Sequence, residues 1–131
     1  MFKNIMVPSD GSEDSKKAED VAIEIAKNFN SKITAVYVLD DKMIYPYEVL
    51  EEEGNEILGN ISKKGKKAGV EVVEQLITGD PLRDMKTIAK KANVDSVVIS
   101  PHGRNKLEKL VFGSVADRII KTFDIPVILI K

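Results

Sequence analysis

Strand-like segments alternate strictly with helix-like segments along this chain. Short runs rich in apolar and β-branched residues predict five strands, over 2–7, 33–39, 70–77, 94–100 and 126–130. Between them, apolar residues recur every three or four positions, as they do on one face of a helix. This alternation indicates a parallel sheet with helices on both faces. Because no linker, repeat or low-complexity tract interrupts it, residues 1–131 are predicted to form one α/β domain.

The first helix has a recognisable start and an apolar stripe. Asp10 and Glu13 have the spacing of a capping box, and Ser12 is an alternative cap. Charged residues, Glu19 among them, fill the face assigned to solvent. The face assigned to the core carries apolar residues at intervals of three and four: Ala18, Val21, Ala22, Ile25, Ala26 and Phe29.

The next two helices differ in how strongly the sequence supports them. The third helix begins well, because Asp80 can cap it and Pro81 suits the first helical position. The second, over about 48–68, is weaker. It contains three glycines, each of which weakens a helix by roughly 1 kcal/mol relative to alanine: Gly54, Gly59 and Gly65.

The order of the strands decides where a binding site can lie. In an open parallel sheet, ligands bind beyond the carboxyl ends of the strands, where the winding reverses. Right-handed crossovers leave a few orders for five strands. In the order 3-2-1-4-5 the reversal falls between strands 1 and 4, which brings residues 8–10 to residues 100–103. The order 2-1-3-4-5 would put the reversal elsewhere, and the pattern of the residues does not choose between the two.

The segment 100–115 is the most unusual stretch of the chain. It joins the fourth strand to the fourth helix, with Gly103 near its start and Gly113-Ser114 at its end. A glycine loop that opens a helix offers free backbone N–H groups and the positive end of a helix dipole, which suits a phosphate. The alternative interpretation is a plain turn followed by a helix cap. Among the basic residues of this loop, Arg104 is the candidate for a phosphate contact.

The composition excludes several kinds of function. Lys and Arg total 20 against 21 Asp and Glu, so the net charge of −1 gives no electrostatic argument for binding nucleic acid or an anionic membrane. The absence of cysteine excludes thiol catalysis and cysteine-ligated zinc, and a single histidine excludes a multi-histidine metal site. No apolar run has membrane-spanning length and the N-terminus does not resemble a signal peptide, so we expect a cytoplasmic protein.

Catalysis has little support in the sequence. No Gly-x4-Gly-Lys-Ser/Thr phosphate loop is present, and no pair of carboxylates brackets the 100–115 segment. Asp10 alone could hold Mg²⁺ through nucleotide phosphates, which would be a weak site dependent on the ligand. His102 is interpreted as an exposed turn residue rather than a catalytic group, although a phosphate contact is plausible. We therefore expect binding with slow or no hydrolysis.

Several of these motifs together resemble the universal stress protein family, over essentially the whole chain. The resemblance rests on KNIMVPSDGSEDS near the start, AVYVLD at the end of the second strand, GDP before the third helix, and SPHGRNKLEKLVFGSVADRIIK with PVILIK. Nucleotide-binding members carry the signature Gly-x2-Gly-x9-Gly-Ser/Thr. Gly103, Gly113 and Ser114 match its last three elements, and Ser100 stands in place of its first glycine.

The resemblance implies a binding site for ATP or AMP. Pro8 and Asp10 would flank the nucleoside, and Val38 would contact the adenine edge through its backbone. The first part of the glycine loop would wrap the ribose and the phosphates, through Ser100, His102, Gly103 and Arg104. The start of the fourth helix would cap the phosphates, through Gly113, Ser114 and Val115.

Two functions remain open on these grounds. The first is a homodimeric stress-response protein that acts as a switch or sensor by binding ATP or AMP. The alternative is a universal stress protein that binds no nucleotide and works as a dimeric interaction or structural module, which Ser100 favours. A nucleotide-processing enzyme of the same sheet type is a third, weaker possibility.

The last strand gives a separate argument for a dimer. In the order 3-2-1-4-5, residues 126–130 lie at an edge of the sheet. Only Pro126 and Lys131 would discourage this edge from pairing with another strand. Pairing of two copies through Pro126–Ile130 is the simplest cover for this edge, and family members mostly pair in this way. The alternative is that the chain's own fourth helix covers the edge.

Overall fold

The computed structural model describes residues 1–102 and 113–131, and strands and helices alternate through them. The elements are β1 (Asn4–Pro8), α1 (Glu13–Phe29), β2 (Lys32–Asp40), α2 (Tyr47–Ala68), β3 (Val72–Gly79), α3 (Pro81–Lys91), β4 (Ser96–Ile99), α4 (Ser114–Thr122) and β5 (Val127–Leu129). All strand pairs are parallel and the order is β3-β2-β1-β4-β5. The predicted α/β fold is therefore confirmed, and of the two strand orders considered the structure has 3-2-1-4-5, the one on which the predicted crevice rests, so the order 2-1-3-4-5 is excluded.

Two hydrophobic cores lie on opposite faces of the sheet. One contains Ile5 and Val7 of β1 together with the buried residues of α1 and α2. The other contains Met6 of β1 together with the buried residues of α3 and α4. Ile5, Met6 and Val7 all have no exposed surface. A central strand buried on both faces needs apolar residues at every position, which explains why the strand patterns lack alternating polarity.

The bounds of the strands differ from the prediction at several ends. β1 begins at Asn4 rather than at residue 2, because Phe2 has a φ of 59°, outside the range of a strand. β3 begins at Val72 rather than at residue 70. The reason is that the N–H of Val70 donates to the carbonyl of Gly65 at 2.8 Å and so still belongs to the end of α2.

The glycines of α2 do not have one common role. A Cβ atom on Gly54 would lie 2.6 Å from side-chain carbons of Tyr37 and Leu76, whereas a Cβ atom on Gly59 would have no neighbour within 4 Å. Gly65 is also tightly packed, with the carbonyl oxygen of Val70 2.9 Å from the position of a Cβ. Gly54 and Gly65 thus allow α2 to approach the sheet closely, and only Gly59 fits the interpretation that these residues merely weaken the helix.

The start and the buried face of α1 also differ from the prediction. Ser12 is the N-cap, and its hydroxyl accepts from the N–H of Ser15 at 3.1 Å. The alternative cap is therefore the correct one, and the Asp10–Glu13 capping box is not. The predicted stripe is wrong at Phe29, which is 62% exposed, and at Glu19, which was assigned to solvent but is 3% exposed.

Candidate functional site

The carboxyl ends of β1 and β4 meet at the point where the winding of the sheet reverses. Ile5 pairs with Ser96 and Met6 with Val97. From these neighbouring strands the chain leaves to opposite faces, since α1 packs into one core and α4 into the other. The gap between residues 8–11 and residues 100–102 is called the crevice below. It is the place where ligands bind in sheets of this type.

The wall of the crevice on the β1 side is a tightly bonded turn. The N–H of Ser9 donates to the carbonyl of Val36 at 2.9 Å, and its hydroxyl accepts from the N–H of Gly11 at 3.2 Å. Gly11 has a φ of 80°, in the left-handed region that glycine enters without steric cost. The path of the chain from Pro8 into α1 is therefore fixed by its own hydrogen bonds.

Asp10 turns one carboxylate oxygen toward the first turn of α1. Its Oδ1 accepts from the N–H of Ser12 at 3.0 Å and from the hydroxyl of Ser15 at 2.8 Å. This oxygen therefore shapes the helix start, although Asp10 is not the cap. Among residues 1–102 and 113–131, no three Asp, Glu or His side chains are grouped to hold a metal ion. A role for Asp10 with Mg²⁺ would need the phosphates of a nucleotide as further ligands.

The end of β2 brings an open main-chain edge to the crevice. β1 pairs with β2 only as far as Pro8 with Val36, and the N–H of Ser9 donates to the carbonyl of Val36. The main-chain groups of Val36 thus point toward β1. Because alternate residues of a strand direct these groups to the same side, those of Val38 point the same way, past the last residue of β1. Val38 therefore presents a donor and an acceptor beside the crevice.

The wall on the β4 side begins with a turn at Ser100. The hydroxyl of Ser100 donates to the carbonyl of His102 at 2.9 Å, across the buried Pro101. The N–H of Gly113 donates to the carbonyl of Pro101 at 2.6 Å. The described residues on either side of the 103–112 segment are thus bonded to each other. Gly103 and Arg104, which the sequence placed in the site, lie outside the described residues.

The N-terminus of α4 completes the β4 side of the crevice. Gly113 is the N-cap, with a φ of −59° and a ψ of 158°, a conformation open to any residue. Its carbonyl accepts from the N–H of Asp117 at 2.9 Å. The N–H groups of Ser114 and Val115 belong to the first turn, where a helix offers donors that have no partner within the helix. Glycine has no side chain that could cap these donors.

Two polar clusters were not anticipated. Beyond the ends of β2 and β3, Lys42 donates to Asp80 at 2.8 Å. This hydrogen bond, helped by the N–H groups of Leu82 and Arg83, lowers the pKa of Asp80 to about 2. Asp80 was predicted only as the cap of α3, a role that is confirmed. Behind β1, Ser9 is bonded to the buried Glu19, and no periodicity signal points to that contact.

Other features lie away from the crevice. A concavity of about 330 Å³ lies between β3 and α3, with Ile77, Thr87 and Lys91 in its lining, and it includes none of the predicted site residues. Within the described parts of the chain, none of the helices is both long enough and apolar enough to cross a bilayer.

Comparison with known proteins gives consistent matches. The family model described as the universal stress protein family matches residues 1–131. Universal stress protein MJ0531 of Methanocaldococcus jannaschii is 33% identical over 144 aligned positions, covering 100% of this chain and 83% of the relative. Both comparisons agree with the resemblance drawn from the sequence motifs.

Two solved structures match this chain over all or nearly all of their length. A universal stress protein from Archaeoglobus fulgidus, solved in complex with dAMP, has a TM-score of 0.80 and 26% identity. The match covers 100% of this chain and 100% of that one. A universal stress protein solved in complex with cAMP has a TM-score of 0.76 and 21% identity, covering 99% of this chain and 97% of that one. At that identity the second match shows the fold alone.

Proposed function

Since the chain belongs to the universal stress protein family, we propose that it binds an adenine nucleotide, ATP or AMP, in the crevice. The observation that carries the proposal is the convergence of main-chain groups on the crevice from two sides. The main-chain groups of Val38 point past the end of β1, and on the other side Gly113 is the N-cap of α4. The dAMP complex of the A. fulgidus relative supports an adenine nucleotide as the ligand.

Each predicted residue has a role in this proposal. The adenine edge bonds to the main chain of Val38, and the nucleoside lies between the Pro8–Asp10 turn and Ser100. The phosphates lie at the start of α4, where the helix dipole and the free N–H groups favour negative charge. The groups proposed to hold the phosphates are His102, Gly103, Arg104, Gly113, Ser114 and Val115.

The proposed activity is binding rather than turnover. Among the described residues, Asp10 is the only carboxylate assigned to the crevice, and one of its oxygens is engaged by Ser12 and Ser15. Mg²⁺ therefore enters with the phosphates, with Asp10 as at most one ligand. Since the described residues of the crevice supply no second carboxylate to activate water, we expect hydrolysis to be slow or absent. The biological role proposed is that of a cytoplasmic, homodimeric stress switch or sensor read by other proteins.

Direct measurement of bound nucleotide tests the proposal. The purified protein is denatured, and the supernatant is run on an ion-exchange column to identify any nucleotide it releases. Calorimetric titration with ATP and AMP, with and without Mg²⁺, then gives the affinity of the emptied protein. If the protein releases no nucleotide and shows no measurable binding of ATP or AMP, the proposed function is wrong.

A substitution at the start of α4 tests the position of the phosphates. Gly113→Arg places a long side chain over the first turn of the helix, and we expect at least a tenfold loss of ATP affinity, about 1.4 kcal/mol. Gly59→Arg is the matched control, because Gly59 faces open space on α2 and should leave the affinity unchanged. If both variants bind ATP as well as the wild type, the phosphates do not lie at α4.

A second candidate function rests on Ser100. This residue replaces the first glycine of the binding signature, and its hydroxyl is bonded to the carbonyl of His102. The turn formed in this way favours a dimeric interaction or structural module that binds no nucleotide. If the wild type fails to bind ATP and Ser100→Gly binds it, this second function is the correct one and the cause is the Ser100 side chain.

A further inference from the structure

A buried carboxylate lies directly behind the crevice. Glu19 on α1 is 3% exposed, although glutamate is almost never fully buried unless it is paired. Both of its oxygens are engaged. Oε2 accepts the hydroxyl proton of Ser9 at 2.6 Å, and Oε1 accepts from Nζ of Lys64 on α2 at 3.1 Å. Glu19 thus joins the turn of the β1 wall to the second helix.

Stability alone is a weak explanation for this pair, which joins the buried Glu19 to a Lys64 side chain that is 34% exposed. Removing two charges from water costs several kcal/mol per ion, and replacing a buried ion pair by apolar residues of similar volume is often neutral or stabilising. An apolar residue at position 19 would also continue the stripe of α1. A buried carboxylate in this place therefore points to a role in fixing the geometry of whatever it contacts.

The contact that Glu19 makes controls the hydroxyl of Ser9. A hydroxyl has one proton to donate. Because Ser9 donates this proton to Glu19, the lone pairs of the Ser9 oxygen are left to accept. One of them accepts the N–H of Gly11 at 3.2 Å. This bond spans Asp10 and closes the turn that contains the left-handed Gly11. The orientation of Asp10 in the crevice thus depends on the hydrogen bond that Ser9 donates to Glu19.

Lys64 supplies the charge that Glu19 needs. Burial acts to lower the pKa of Lys64, but its hydrogen bonds to Asp20 and Glu19 outweigh this effect and leave the pKa above its ordinary value. The ammonium therefore stays charged. Its second partner, Asp20, is 3.0 Å away, but the side chain of Asp20 is 66% exposed. Asp20 is thus a neighbour that shares Lys64 without facing the core.

We propose that Glu19, neutralised by Lys64, is a positioning residue for the nucleotide site and acts through Ser9 on the turn that holds Asp10. This inference rests on the proposed function. It predicts that nucleotide affinity depends on a side chain that does not touch the ligand, and that the hydrogen-bond acceptor at position 19 is what matters.

The test compares four variants of the full chain by calorimetric titration with ATP. Ser9→Ala removes the hydroxyl, and Glu19→Ala removes the acceptor that orients it. For each variant we expect ATP affinity to fall roughly three- to tenfold, the factor for one lost hydrogen bond. Glu19→Gln keeps an acceptor for Ser9 and should bind within about twofold of the wild type by the same reasoning. Asp20→Ala is the matched control, since it removes the exposed partner of Lys64 only, and should bind like the wild type.

A second measurement follows the turn without nucleotide. Hydrogen exchange of the Gly11 amide should accelerate in Ser9→Ala and Glu19→Ala and stay unchanged in Glu19→Gln and Asp20→Ala, because its acceptor is the Ser9 hydroxyl. Ser9→Ala removes a single oxygen and keeps the test valid if Glu19→Ala does not fold.

The outcomes separate this inference from the proposed function. Weaker binding and faster Gly11 exchange in the two alanine variants, with normal values in the other two, support the inference. Wild-type affinity in Ser9→Ala and Glu19→Ala overturns it while leaving the proposed function intact. An equal loss in Glu19→Gln and Glu19→Ala overturns the role of the acceptor. A wild type that binds no nucleotide overturns both.

Discussion

At the scale of single residues, two carboxylates at the start of α3 have strongly lowered pKa values. Asp80 has a pKa of about 2 because Lys42 and two helix N–H groups bond its carboxylate. Asp84 has a pKa of about 2 because Arg83 binds it through two nitrogens, with help from the N–H of Asp80. Both values lie below the ordinary 3.8. Protonation of either carboxylate is therefore harder in the folded chain than in the unfolded one.

This difference predicts an acid-dependent loss of stability. Since the unfolded chain binds protons more readily, the two carboxylates contribute stability above pH 3.8 that is lost as the pH falls toward 2. In Asp80→Asn and Asp84→Asn, the fall of the urea unfolding midpoint from pH 5 to pH 2 should be smaller than in the wild type. Asn keeps the capping function at position 80, so the change isolates the charge.

An exposed carboxylate provides the control for this prediction. Asp124 is 86% exposed and lies 3.7 Å from Lys86. Asp124→Asn should show the same acid dependence as the wild type. An acid dependence that is unchanged in the Asp80 and Asp84 variants would contradict the assigned shifts.

At the scale of a single element, α2 is shaped by where its glycines face. Gly59→Ala should stabilise the protein by about 1 kcal/mol, because alanine is the better helix former and nothing lies near the new methyl group. Gly65→Ala should destabilise it by roughly 1–3 kcal/mol, because the methyl group would be forced against the carbonyl of Val70. Urea unfolding of the two variants measures both effects. Equal stabilisation by both would show that α2 does not need its close approach to the sheet.

The sequence predicts elements better than contacts between them. The alternation of patterns was enough for the five strands and four helices, and local signals were enough for Asp80 as the cap of α3. The burial of Glu19 was missed because a helical stripe is judged by side-chain polarity. What buries Glu19 is a pair of partners 10 and 45 residues away. Gly54 and Gly65 were misinterpreted for the same reason, since only the sheet opposite them reveals their use.

The candidate site divides in the same way. The order 3-2-1-4-5, which the residue pattern left open, predicts that residues 8–10 and 100–103 meet, and the structure brings residues 8–10 and 100–102 to neighbouring strand ends. The open edge of Val38 depends on the register of Pro8 with Val36, which no local pattern fixes. The turn at Ser100 likewise depends on a bond to His102 that composition does not indicate.

For the whole molecule, the open edge of β5 is the feature that bears on assembly. The carbonyl of Pro126 accepts from the N–H of Val97 at 2.9 Å, and the N–H of Ile130 donates to the carbonyl of Ile99 at 2.8 Å. Both residues thus direct their main-chain groups toward β4. The main-chain groups of Val127 and Leu129, which alternate with these, therefore point away from β4 toward the open edge. An edge of this kind invites pairing. We propose that two copies pair here, as predicted for Pro126–Ile130.

The proposed dimer is tested by removing one outward donor. Leu129→Pro deletes an N–H on the open edge without touching the bonds to β4, and proline is tolerated on edge strands. We expect a dimer for the wild type and a monomer for this variant in sedimentation velocity at micromolar concentration. Leu129→Ala loses the same side chain but keeps the N–H and should remain a dimer. A monomeric wild type would rule out pairing through β5.

The open edge of Val38 has a consequence for how such a function persists over evolutionary time. Main-chain donors and acceptors are common to every residue except proline, which lacks the donor. If adenine is recognised there, substitutions at position 38 leave the recognition groups in place, and Val38→Pro alone among single changes deletes the N–H. Two relatives could then share a ligand while sharing few side chains around the base. A ligand inherited in this way is traced through strand register rather than through residue identity.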